Sequence, residues 1–130
     1  MSRELRDNTG SPVTVEMVTG EVIRSYTISV KGDSSPAGRA DYLQSDADEH
    51  ARMFFHTEVV REFHGRGLAG LLVRTALADT IGERIVVVPA CPLFAAHLRK
   101  HGDAFLAEGG QFRLPRPADL ALIGRAVRSS

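Results

Sequence analysis

The sequence has a single cysteine, Cys91, so no disulfide can form within the chain, and a lone thiol fits a reducing compartment. It has no excess of either charge. Lys plus Arg and Asp plus Glu both number 16, and the formal net charge is zero. A dedicated nucleic-acid binder carries a basic excess, so nucleic acid is not an expected partner. No apolar run approaches the roughly 20 residues that span a bilayer. The opening MSRELRDNTG is polar where a signal peptide would be apolar. The expectation is a soluble, cytoplasmic protein that does not engage a membrane. Internal repeats and low-complexity segments are lacking too. What remains is 130 residues, enough for one domain with a real core but not comfortably for two.

The chain is organised around Phe54 to Ala76, FFHTEVVREFHGRGLAGLLVRTA. Phe54, Phe55, Val59 and Val60 suit a strand buried on both faces. Gly65 and Gly67 flank Arg66 in a turn. From Leu68 the pattern becomes helical, with Leu68, Leu71, Leu72, Ala76 and Ala78 at three- and four-residue steps. Arg66, Gly70 and Arg74 lie four apart, on a line expected to face solvent. The first N–H groups of a helix have no partner inside it, and the positive end of its dipole lies behind them. Glycine lets an anion approach the backbone. Phe63 to Gly70 is therefore a candidate phosphate site; the plain alternative is a tight turn that uses glycine only for its backbone freedom. The turn lacks the Lys-Ser/Thr ending of a nucleoside-triphosphate loop.

Taken in order, Met1 to about Val13 reads as a loose lead-in and Val13–Val18 as an edge strand. Glu21–Lys31 reads as a strand, with Tyr26, Ile28 and Val30 alternating with Ser25, Thr27 and Ser29. Gly32–Gly38 is a turn by composition, Arg39–Gln44 a short strand, and the acidic Ser45–His50 a loop. Arg52–Val60 closes an antiparallel meander. The helix after the glycine turn runs to about Thr80, with Gly82 as its left-handed stop. Arg84–Val88, RIVVV, is a buried strand expected parallel to Arg52–Val60. Pro89 ends it. Pro92 opens a second helix with Phe94, Ala95 and Leu98 as its apolar face and Gly102 as its stop. Asp103–Pro117 reads as loop and Ala118–Val127 as a short helix. The fold class is α+β with a mixed sheet, and a cleft is expected where the third and fourth strands of this reading diverge.

Glu62-Phe63-His64-Gly65-Arg66-Gly67 resembles the signature of the GNAT acetyltransferase superfamily: Gln or Arg, two residues, Gly, one residue, then Gly or Ala. Only the first position departs, with Glu62 in place of Gln or Arg. HTEV at 56–59, GRGLA at 65–69, AL at 76–77 and the proline–cysteine stretch at 89–92 look more specifically like the small YjdJ-like branch. The resemblance covers about Tyr26 to His101. It implies one minimal domain over 1–130, with a core at about 21–102 and an extension at 103–130. It also implies a cofactor, acetyl-CoA, and an amine acceptor, either a small molecule or a protein amine. The implied protein is a monomer or a homodimer.

The resemblance would seat the pyrophosphate of coenzyme A on the backbone of Phe63, His64, Gly65, Arg66, Gly67, Leu68, Ala69 and Gly70. The pantetheine arm would run along Glu58, Val59 and Val60. The thioester would reach between that strand and Ile85–Val88. Cys91 and His56 are the implied catalytic pair. Cys91 falls at a helix N-terminus, a position that stabilises a thiolate, and His56 is expected to approach it across the cleft. Two routes stay open: acetylation of Cys91, or direct attack by an amine deprotonated by His56 or Glu58. The plain readings are a small buried cysteine and a core histidine. Phe94 stands where many acetyltransferases place a tyrosine, and it cannot protonate a leaving thiolate. His97 and His101, four apart on one helix, read as a solvated face, and no metal is expected. The acidic Asp46–Glu49 reads as a solvated loop, the alternative being a patch that attracts a cationic amine. The reading from another functional class is a CoA-binding module, a sensor or partner subunit without efficient transfer.

Overall fold

The computed structural model describes residues 2–20, 22–33, 35–45 and 50–129. The acidic run Asp46–Glu49 lies outside them. The strands are β1 (Ser2–Arg6), β2 (Pro12–Thr19), β3 (Arg24–Val30), β4 (Gly38–Ser45), β5 (Ala51–Val59), β6 (Val86–Pro89) and β7 (Gln111–Phe112). The helices are α1 (Leu68–Glu83), α2 (Pro92–Ala107) and α3 (Pro117–Ser129). The fold is α+β, as expected, on a mixed seven-stranded sheet whose strands lie in chain order. β1 to β5 pair antiparallel, and β5–β6 and β6–β7 pair parallel.

Strand alternation sorts the side chains onto two faces. One face carries Val13, Val15, Tyr26, Ile28, Tyr42, Phe54 and Val87, covered by Leu68, Leu72, Val73 and Ala76 of α1 and by Phe94, Leu98 and Phe105 of α2. Phe54 and Phe94 stack at 4.2 Å between ring centroids. The other face carries Leu43, Ala51, Met53 and Val88, met by Ile123 and Ala126 of α3. Arg52, only 3% exposed, is the charged exception on the α1 side. It donates to the Tyr26 hydroxyl at 2.9 Å, to Glu83 at 2.9 Å and to Gln44 at 3.1 Å, so its charge is paired and its N–H groups are used. Tyr26 in turn donates to Asp79 at 2.6 Å. Burial pushes the Tyr26 phenol up to about 12.

The structure corrects several expectations. The lead-in is not loose, because β1 and β2 form a hairpin, and β2 lies inside the sheet with β1 at its edge. α1 continues past Gly82, and Arg84 (φ 56°) takes the left-handed position. Gly102 does not stop α2. It is buried mid-helix because the Phe112 ring passes close by, and a Cβ there would lie 3.1 Å from that ring. The segment read as loop after it therefore contains the last turn of α2 and then β7. Removing the stacked ring at the centre of the larger core tests this packing. Phe94→Ala should cost about 3–5 kcal/mol of unfolding free energy in urea titration, and a loss under about 1 kcal/mol would show that the Phe54–Phe94 stack is not central.

Candidate functional site

β5 and β6 pair from Ala51↔Val86 to Phe54↔Pro89 and then part. Proline offers no N–H to continue a ladder. The next contact is the Cys91 N–H to the Phe54 carbonyl, at 2.7 Å, where the chain turns into α2 with Pro92 in its first turn. Phe55–Val59 of β5 continue without β6 beside them. This open edge meets the glycine turn in a cleft of about 300 Å³, lined by Thr57, Glu58, Val59, Phe63, His64, Gly65, Gly67, Leu68, Ala69 and Leu93. Eight residues of the expected CoA set thus share one cleft. Val60, Arg66 and Gly70 border it without lining it, and the Val60 N–H is bonded to the Ala37 carbonyl at 2.7 Å.

Gly65 (φ 83°) and Gly67 (φ 78°) are left-handed, and Gly67 is the N-cap of α1. A side chain at Gly67 would be strained by its backbone and would also strike Asn8, whose Oδ1 would lie 2.7 Å from the added Cβ. The first bond of α1 runs from the Leu71 N–H to the Gly67 carbonyl, at 3.1 Å. The N–H groups of Leu68, Ala69 and Gly70 therefore have no acceptor within the helix. Leu68 and Ala69 line the cleft, and the positive end of the helix dipole lies behind these N–H groups. His64 reaches back across the mouth, its Nε2 at 2.8 Å from the Val59 carbonyl oxygen.

Arg66 does not join a solvent stripe with Arg74, because it precedes the helix and pairs with buried Asp7. Its Nε and Nη2 both lie 2.6 Å from Asp7 Oδ2. Asp7 Oδ1 accepts from the Thr9 hydroxyl at 2.6 Å and from the Thr9 and Ser11 N–H groups at 2.9 and 3.0 Å. The Thr9 hydroxyl first, with these N–H groups and Arg66, holds the Asp7 carboxyl down at about 2. The Asn8 N–H donates to the Arg66 carbonyl at 2.9 Å. Sequence reasoning missed Asp7 and Asn8, because nothing in their local pattern announces partners so distant along the chain.

Cys91 is 3% exposed and its Sγ donates to Thr57 Oγ1 at 3.3 Å. The expected approach of His56 to Cys91 is not what the structure shows. A bulge in the β4–β5 ladder pairs Asp41 with His56 and Tyr42 with Phe54, which leaves Phe55 extra. Phe55 and His56 consequently share the α3 side of the sheet, where both line a hollow of about 430 Å³ with Ile23, Ser25, Arg39, Asp41 and Val127. Thr57 turns back toward Cys91. His56 Nε2 lies 3.3 Å from Glu58 Oε2, and Glu58 Oε1 lies 3.1 Å from Arg39 Nε. Thr57 is a site residue that sequence reasoning did not single out, although two-residue alternation from Val59 puts it on the cleft side. The His97 and His101 rings stand 4.9 Å apart on α2. Burial, then His101, holds the His97 imidazole below its usual range.

A family model described as GCN5-related N-acetyl-transferase matches residues 25–107. Comparison with curated proteins finds no match. Solved structures are similar in part. Ribosomal-protein-alanine N-acetyltransferase from Brucella melitensis biovar Abortus 2308 is 20% identical over 63% of this chain and 62% of that one, with a TM-score of 0.43. Aminoglycoside N-acetyltransferase AAC(6')-Iy in complex with CoA is 17% identical over 75% of this chain and 65% of that one, also with a TM-score of 0.43. AAC(6')-Iy in complex with the bisubstrate analogue CoA-S-monomethyl-acetylneamine gives 16% over 75% and 67%, with a TM-score of 0.41. The chain thus spans less than two thirds of the first two structures it matches.

Two outcomes follow from the turn. Gly67→Ala should cost about 1–2 kcal/mol in urea titration from the left-handed backbone alone, and an unchanged midpoint would mean that the turn relaxes freely. The Asp7 carboxyl is lowered by folding. Its contribution to stability is whole above its unfolded-state value near 3.8 and is lost as the pH falls through about 2. Urea midpoints of the wild type and Asp7→Asn should therefore differ at neutral pH and converge toward about pH 2; a constant gap would contradict the assignment.

Proposed function

Since the chain belongs to the GCN5-related N-acetyltransferase family, we propose that it transfers an acetyl group from acetyl-CoA to an amine acceptor, a small molecule or a protein amine. We assign it to the small YjdJ-like branch on its HTEV and GRGLA blocks. The observation that carries the reading is the opening between β5 and β6 beside a helix N-terminus with free N–H groups. The donor set suits a pyrophosphate, which needs several N–H groups converging on one side and no intervening Cβ. The N–H groups of Leu68, Ala69 and Gly70 would hold it, and Gly65 and Gly67 would keep its approach clear. Phe63, Leu68 and Leu93 wall an apolar channel for the pantetheine arm, and Glu58, Val59 and Val60 form the edge it follows. When bound, acetyl-CoA supplies the thioester that is cleaved.

Where β6 no longer closes the sheet, His56 on the α3 side would meet an amine, and the cleft beside Thr57 would admit the thioester. The amine nitrogen bonds to the acetyl carbonyl carbon, and the carbon–sulfur bond breaks. His56 takes the amine proton, supported by Glu58, and CoA leaves as the thiolate. Phe94 is sealed in the core and donates no proton to it. The burial of Cys91 favours this direct route. The covalent route has one observation behind it: Cys91 Sγ lies 3.3 Å from a hydroxyl that lines the cleft. In that case the thiolate takes the acetyl group with release of CoA, and the amine then takes it from sulfur.

Calorimetry with acetyl-CoA, intact-mass spectrometry and turnover with an amine panel, run on wild type, Cys91→Ala and His56→Ala, test the proposal. Direct transfer predicts binding, no stable acetyl adduct, near-normal turnover in Cys91→Ala and a loss of about 100-fold or more in His56→Ala. One added acetyl group that disappears in Cys91→Ala, together with lost turnover, would establish the covalent route instead. Binding without transfer to any amine would leave a CoA-binding module. No binding would defeat the proposal outright.

A further inference from the structure

The β1–β2 hairpin lies before the span matched by the family model, yet it holds the glycine turn at two consecutive residues. The Asn8 N–H takes the Arg66 carbonyl, and the Asn8 amide lies where a side chain at Gly67 would be. The Asp7 carboxylate takes both Nε and Nη2 of Arg66 on one oxygen while Thr9 and Ser11 fix the other. The Arg66 guanidinium also lies 5.4 Å from the centre of the Phe63 ring, on the cleft wall. Residues 66 and 67 immediately precede the free N–H groups of α1, so their orientation sets where those groups point. A convergent anion site depends on that direction more than on net charge, because each N–H bond weakens steeply once misaligned.

We propose that Asp7 and Asn8 are positioning residues for the anion-binding turn, and that the Arg66 side chain serves it by anchoring to Asp7 and not by touching phosphate. This rests on the acetyl-CoA reading above. The two roles of Arg66 give opposite signs for one substitution. If Arg66 is an anchor, Asp7→Asn loosens the turn and weakens CoA binding. If Arg66 contacts phosphate, Asp7→Asn frees a guanidinium from its counter-charge and tightens binding.

The test is calorimetric titration of CoA into the full chain as wild type, Asp7→Asn, Asn8→Ala and the charge exchange Asp7→Arg with Arg66→Asp, with acetyl-transfer kinetics and melting temperatures on each. The expected result is about a tenfold loss of CoA affinity in Asp7→Asn, equal to about 1.4 kcal/mol. KM should rise with kcat preserved at saturation, Asn8→Ala should lose less, and the exchanged pair should recover most of the affinity. Should Asp7→Asn fail to fold, the charge exchange decides: it keeps the affinity if the 7–66 pair braces the turn, and loses it if the guanidinium at 66 contacts phosphate. Affinity that is unchanged or higher in Asp7→Asn, with CoA bound normally by the wild type, overturns the proposal alone. A wild type that does not bind CoA overturns the acetyltransferase reading and this proposal with it.

Discussion

Pro89 brings no N–H to the ladder, and beyond its pairing with Phe54 the two parallel strands separate. That parting opens the cleft beside the glycine turn. Had β6 run on beside β5, the backbone groups of Phe55–Val59 would be consumed in sheet pairing, and the two faces would be sealed from one another. Instead Cys91 takes the last carbonyl of the shared stretch and the chain rises into α2. The remaining edge of β5 is left beside the N-terminus of α1. Large aromatic contacts hold the fork in place: Phe54 lies on the last paired position and stacks on Phe94 of the helix that departs.

The glycine-turn end of the cleft depends on a different constraint. A helix N-terminus offers N–H groups in any protein. What distinguishes this one is that its N-cap is a left-handed glycine whose Cβ position is already occupied by Asn8. The turn, the hairpin and the Asp7–Arg66 pair are one unit, built from the β1 edge of the sheet and the segment that follows β5. The Asp7 carboxylate, the Arg66 guanidinium and the Asn8 N–H are bonded within it, so this bracing is pre-formed and little of it is left for a ligand to order.

The strand–turn–helix at the centre was legible because its period changes sharply, from paired apolar residues in Phe54–Val60 to three- and four-residue steps after Leu68. RIVVV and Cys91-Pro92 were legible for similar local reasons. β1 was not, because SRELR carries one aliphatic side chain and becomes a strand only through its pairing with β2. Gly102 looked like a helix stop because a glycine needed for the close approach of Phe112 cannot be told, in sequence, from one needed for backbone freedom. The bulge at Phe55 leaves no mark in the sequence either. Because one extra residue reverses the alternation, it decides that His56 lies away from Cys91, across the sheet. The glycine turn was read from a local pattern and the strand edge at Glu58–Val60 from the family resemblance. Thr57 beside Cys91 and Asp7 beside Arg66 arise from tertiary packing.

Amide chemical-shift mapping of the full chain during titration with CoA tests the central claim most directly, because it reads individual N–H groups whether or not an acceptor is known. Binding at the parted strands predicts the largest shifts at Leu68, Ala69 and Gly70, with a second group along Thr57, Glu58 and Val59. Shifts confined to another hollow, such as the one between Arg3, Tyr26 and Asp79, or no shift at all, would contradict it.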